Sequence, residues 1–214
     1  MPRPKGDADA RLLRAGLKLS REKSFGAVSV REACRRAKVN LGLFHYHFKN
    51  RESFRERILE AGYQEFFSRL TISAGGQGDP PERLRKVLRA IARFSIERRR
   101  TIAGLLKDAL NGDRQVARFA ARYFPHHLPI VLSIYREGLK KGRFRKLEEP
   151  LLLSFLMGSL NAPGLMMTLF DEHDARRPFD RARGDVERVL LSDASVGIRL
   201  DMIMAALAVP RGAR

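Results

Sequence analysis

The 214-residue chain has one cysteine and no tryptophan, and its acidic residues are few beside its basic ones. A lone Cys34 cannot close an internal disulfide, so the fold must be held by its core. A reducing compartment, the cytoplasm, is therefore expected. Catalytic signatures are missing as well. Gly75-Gly76-Gln77-Gly78 neither follows a strand pattern nor precedes Lys-Ser or Lys-Thr, so it is no phosphate loop. There is no His-Glu-x-x-His, no Gly-x-Ser-x-Gly and no acid/base pair at a convincing spacing, so an enzyme is not expected. The alternation of half-buried strands is absent, and the N-terminus lacks the apolar stretch of a signal peptide.

What the chain does hold is positive charge. Lysine and arginine number 42 against 24 acids, a formal +18. Nucleic acid, an anionic membrane or an acidic protein are the partners such charge suits. Residues 1–60 carry 15 bases and 7 acids, so this segment is about twice as basic per residue as the rest. Hydrophobic residues make up 44%, enough for a globular core. Residues 150–170 contain no charged side chain and are long enough to span a bilayer. Ser154, Asn161, Pro163 and Gly164 interrupt them, so a helix buried on several faces is the better reading, and no membrane partner is expected.

Elsewhere the apolar period is helical. Leu12, Gly16 and Leu19 recur at i, i+4 and i+7 in a first helix. Ser29 and Glu32 have the spacing of a capping box, which opens a short helix over 30–37. A tight turn at 38–40 follows, and Asn40 caps a helix over 41–47. Asn50 caps a long fourth helix. Two short helices joined by such a turn form a helix-turn-helix, whose second helix can enter the major groove. Its outward side chains would be Leu41, Gly42, His45, Tyr46 and His47, followed by Lys49 and Arg51. Phe44 and Phe48 share the inward face.

The run Val30-Arg31-Glu32-Ala33-Cys34-Arg35-Arg36-Ala37, followed by Gly42 and Tyr46-His47-Phe48-Lys49, resembles the N-terminal motif of the tetracycline-repressor-like (TetR/AcrR) transcriptional regulators. The resemblance covers residues 10–60. It implies an all-α fold with an N-terminal three-helix DNA-binding head and a C-terminal helical domain for effector binding and dimerisation. The expected division is 1–50 for the head and 51–214 for the remainder, with 51–68 as a connecting helix and 208–214 as a flexible tail. Carried over residue by residue, the resemblance places Ser29, Tyr46 and His47 at phosphates and Gly42 and His45 at base edges. Lys49 lies near the backbone, and Arg51 replaces a usual lysine. Leu41 replaces a common lysine, and Lys38 stands where a turn glycine is usual. A left-handed conformation at Lys38 costs about 1 kcal/mol.

The implied partners are a double-stranded operator, a second copy of the chain and a small apolar effector; no cofactor is implied. Helices over 148–170 and 192–207 are the most apolar late segments. They are expected to build a four-helix dimer interface from Leu152, Phe155, Leu156, Ser159, Leu160, Val196, Leu200 and Ile203. Candidate effector-pocket residues are Phe94, Leu105, Tyr123, Phe124, Met157, Asn161, Met166 and Met167, with plain core packing the competing reading for each. No metal site is expected, because His45 and His47 lie two apart on a helix and point different ways. Residues 171–192 read as punctuation. The rival function is nonspecific nucleic-acid binding by a basic protein, or a membrane-associated helical protein.

Overall fold

The computed structural model describes residues 7–22, 25–76 and 78–209, with the side chains of Arg21, Phe124 and Pro125 outside the description. Ten α-helices form, and there is no strand among the described residues beyond one bridge between Phe144 and Ala208. Two compact units result: Met1–Phe66 with Arg100–Tyr123, and Phe67–Arg99 with Phe124–Arg214.

In the first unit, α1 (Ala8–Glu22) buries Ala8, Leu12, Ala15 and Leu19, one face of a 3.6-residue period. That face packs on α2 (Val30–Ala37) and α3 (Leu41–His47). Gly16 admits α4 (Arg51–Ala74) on the other side. A Cβ there would stand 2.8 Å from Ile58 Cγ1 and 2.9 Å from Phe54 Cζ, closer than carbon atoms pack. Asn50 caps α4 as expected, its Oδ1 accepting from the Ser53 amide at 2.8 Å. The Ser29–Glu32 capping box does not form. Ser29 makes no side-chain cap bond, and Glu32 pairs instead with Arg36 one turn on, at 3.0 Å. Leu105, on α6 (Arg99–Leu110), packs against the core of the first three helices.

In the second unit, α5 (Pro80–Glu97) packs on α8 (Glu149–Glu172) and α10 (Asp193–Leu207). Leu84, Val87, Leu88 and Ile91 of α5 are buried, as are Leu152, Leu156, Leu160 and Met167 of α8. α8 is long and apolar enough to cross a membrane, and it runs through Pro163, but its buried stripe serves the chain's own core. Residues 171–192 are not only punctuation: Arg183–Leu191 form α9, whose one buried residue is Val186. So sparse an apolar face leaves little periodicity to read.

The end of α7 (Arg114–Lys140) turns at Gly142 (φ 64), and Tyr135 pins the following segment. Its hydroxyl donates to the Arg145 carbonyl at 2.9 Å and accepts from the Leu147 amide at 2.8 Å. The Arg145 amide in turn donates to the Leu207 carbonyl at 2.9 Å. The expected tail at 208–214 thus begins with a residue, Ala208, that is bridged to Phe144; residues 210–214 lie outside the description.

Six of the eight residues expected on a dimer face are core residues. Leu152, Leu156, Leu160, Val196, Leu200 and Ile203 are each at most 1% exposed within the single chain. Phe155 is exposed and Ser159 half-buried. The apolar side chains that these helices turn outward are Leu151, Phe155 and Leu169 on α8 and Ile198 and Met202 on α10. Both helices are apolar on several faces, so composition alone does not tell the inner stripe from the outer one.

Candidate nucleic-acid interface

The sequence dictates this site locally. α2 ends at Ala37 and the chain reverses through Lys38, which adopts the left-handed conformation (φ 53, ψ 47) despite its side chain. The Lys38 and Val39 amides donate to the Arg35 and Cys34 carbonyls, satisfying groups that the ending helix leaves open. Asn40 then caps α3, accepting from the Leu43 amide at 2.7 Å.

Two buried phenylalanines fix how α3 is rotated. Phe44 and Phe48 point inward and meet Phe54 of α4, with ring centroids 5.3 and 4.9 Å from it. The opposite face is therefore left to solvent. Leu41, Gly42, His45 and Tyr46 are all exposed, Tyr46 at 79%. His47 is half-buried, its Nε2 atom enclosed and without a hydrogen-bond partner. Lys49 and Ser29 are exposed, and the Ser29 hydroxyl is spared from capping. Arg51 is also exposed but engaged, donating to the Gly26 carbonyl at 2.7 Å. An exposed helix face bearing a glycine, two imidazoles and a phenol, with cations at its end, suits contact with phosphates and base edges.

A basic groove of about 490 Å³ lies between α1 and the end of α2, and the motif does not point to it. Arg11, Arg14 and Lys18 line it from α1, Arg36 from α2 and Lys38 from the turn after it. Arg11 and Arg14 both face Asp7, at 3.7 and 3.3 Å. Arg36 sits between Glu22 and Glu32, whose hydrogen bonds push its guanidinium pKa upward, Glu22 first. The spacing 11, 14, 18 was a readable signal of a cationic helix face.

The residues expected around an effector fall in different surroundings. Tyr123 lines a cleft in the first unit with Phe119 and Leu59. Its hydroxyl donates to Glu60 at 3.0 Å, and burial first, then that carboxylate, push the phenol pKa up. Leu105 belongs to the head's packing. In the second unit Phe94 and Met166 are half-buried and Met167 is fully buried. Asn161 accepts from the Ser95 hydroxyl at 2.7 Å and donates to the Met157 carbonyl at 2.8 Å. The Phe124 side chain lies outside the described residues. Among the described residues no cluster of histidine, cysteine and acids could hold a metal ion.

Residues 12–66, which contain α2, the turn and α3, match the bacterial regulatory proteins of the tetR family. The match is to the N-terminal quarter of the chain, which resembles the DNA-binding head of those regulators. Within the matched segment α2, the turn at Lys38 and α3 form a helix-turn-helix. Transcriptional regulator AcuR of Cereibacter sphaeroides is 38% identical over 90 residues, 39% of this chain and 41% of that protein. The chain therefore spans about two-fifths of the length of the curated relative it matches. Two solved structures share the fold. Regulatory protein TetR from Rhodobacter sphaeroides has a TM-score of 0.65 at 19% identity, covering 95% of this chain and 100% of its own. Salmonella enterica GusR has a TM-score of 0.64 at 14% identity, covering 94% and 95%.

Proposed function

We propose that this chain is a regulator of the TetR type, a ligand-responsive cytoplasmic repressor that binds a palindromic operator as a homodimer and is released by a small effector. The observation that carries the reading is the orientation of α3. Phe44 and Phe48 lock its inner face, so Leu41, Gly42, His45 and Tyr46 are presented together to solvent. Gly42 and His45 would read base edges. Ser29, Tyr46 and His47 would hold phosphates, with Lys49 and Arg51 beside the backbone. A dimer supports this arrangement, because two recognition helices one helical turn of DNA apart, about 34–36 Å, fill successive major grooves. The exposed residues Leu151, Phe155, Ile198 and Met202 offer the apolar surface such a dimer would bury.

Release follows if the effector binds the DNA-incompetent arrangement more tightly, and DNA then weakens effector binding by the same factor. The test is selection of bound fragments from genomic DNA, followed by titration of the recovered duplex. The reading requires a palindromic site bound well above random duplex at physiological salt. Equal competition by random duplex would mean a nonspecific basic protein instead.

A further inference from the structure

A cleft of about 430 Å³ lies within the first unit, between the first turns of α4 and the start of α7. Its apolar surface comes from Leu59, Phe119 and Tyr123. Its walls carry opposite charge. Glu52 and Glu56, four residues apart, stand on α4; Arg118 and Arg122, also four apart, stand on α7. Among the described residues no ion pair joins these carboxylates to these guanidiniums. The helices are nevertheless held in place. Gln115 Nε2 donates to the Glu52 carbonyl at 2.7 Å, and the Tyr123 hydroxyl donates to Glu60. The Arg122 guanidinium lies over the Tyr123 ring, 5.4 Å from its centroid, which orients one cation along the aromatic surface.

We propose that this cleft is an effector site for a zwitterionic aromatic compound, of the class of aromatic amino acids. The ligand carboxylate pairs with Arg118 and Arg122, its ammonium pairs with Glu52 and Glu56, and its ring lies against Leu59, Phe119 and Tyr123. The volume falls within the range of small-molecule sites. The charge pattern sets the class: a ligand with one charge leaves one wall without a partner, and a purely apolar one leaves both. The inference rests on the ligand-responsive reading above. An occupant bridging α4 to α7 acts on a helix separated from α3 by only three residues.

The experiment is calorimetric titration of the full-length protein with L-phenylalanine, with hydrocinnamate, which lacks the ammonium, and with 2-phenylethylamine, which lacks the carboxylate. Saturable binding of one phenylalanine per chain is expected, with the two single-charge analogues at least tenfold weaker. The double variants R118Q/R122Q and E52Q/E56Q should each weaken phenylalanine at least tenfold, while Arg188→Gln on α9 should leave it unchanged. Helical circular dichroism confirms that the variants fold. Absence of saturable binding up to about 10 mM, equal binding of all three probes, or indifference to both double variants overturns the proposal. Operator affinity, measured on the same samples, separates the two readings. Cleft-dependent binding that leaves operator affinity unchanged sustains the site and overturns the ligand-responsive reading. An operator response to phenylalanine that both double variants retain overturns the site alone.

Discussion

The Arg55 guanidinium stands 3.2 Å from the Asp113 carboxylate, joining α4 to the first residue before α7. It also lies 3.6 Å from Asp108 and over the Phe25 ring at 4.7 Å. One side chain thus ties the turn before α2, the connecting helix and the α6–α7 corner. Burial alone would raise the Asp113 pKa. The Val116 and Gln115 amides, with Arg55, outweigh it and hold the carboxyl below its ordinary value. A depressed carboxylate contributes stability that is present above the unfolded value, about 3.9, and is lost as pH falls through the folded one. Urea denaturation should therefore show an acid-side loss of stability below about pH 4 that shrinks in Asp113→Asn. At neutral pH, Arg55→Ala should cost about 1–3 kcal/mol, since it strips partners from two carboxylates and a ring.

Gly16→Ala should destabilise the head, although alanine is the better helix former by about 1 kcal/mol. The new Cβ meets Ile58 and Phe54, both buried with nowhere to retreat, and overpacking of this kind costs about 1–3 kcal/mol. A lowered urea midpoint with an unchanged slope is the expected result.

The left-handed Lys38 gives a paired test. Lys38→Gly removes the clash between Cβ and the backbone and should be neutral or stabilising by up to about 1 kcal/mol. Lys38→Val places a β-branched residue in the same conformation and should cost more than about 1 kcal/mol. Equal midpoints for the two variants in thermal denaturation would mean that the turn relaxes to another geometry.

What was legible in the sequence was local chemistry. Asn40 and Asn50 signal helix starts because a short side-chain oxygen next to an apolar run has few other uses, and both cap as read. The rotation of α3 followed from two phenylalanines four residues apart. What was not legible depended on competition between partners. Ser29 and Glu32 have the spacing of a capping box, but Arg36 is a stronger partner for Glu32 than a backbone amide. α8 is apolar on several sides, so which leucines face α5 is decided only by packing. The cleft between α4 and α7 brings together residues some sixty positions apart, and no local period encodes that meeting.

On DNA, Tyr46→Phe and His45→Ala should differ in kind. Loss of a phenol from a phosphate weakens every duplex by a similar factor, about 1 kcal/mol or several-fold. Loss of a side chain at a base edge changes the ranking of operator variants, by about 1–3 kcal/mol at the affected position. Fluorescence anisotropy over a set of single-base operator variants checks both, and each titration should be repeated at two salt concentrations. A uniform loss in His45→Ala would move that residue from the bases to the backbone.

The outward stripe of α8 and α10 sets the last expectation. Met202 and Ile198 are 67% and 60% exposed, whereas Leu200 between them is fully buried. A charge at Met202 therefore adds no burial cost in the protomer. In a dimer closed by these helices the same charge is repeated across the two-fold axis and desolvated without a partner. Met202→Glu should yield a monomer of unchanged helicity and lowered operator affinity, since each head then binds its half-site alone. Leu200→Ala should do the reverse: it opens a cavity worth about 2–5 kcal/mol in the protomer's core and lowers thermal stability, while the contact surface between copies is left intact. Sizing with light scattering and thermal denaturation of both variants separates the two faces. A dimeric Met202→Glu protein would place the interface elsewhere.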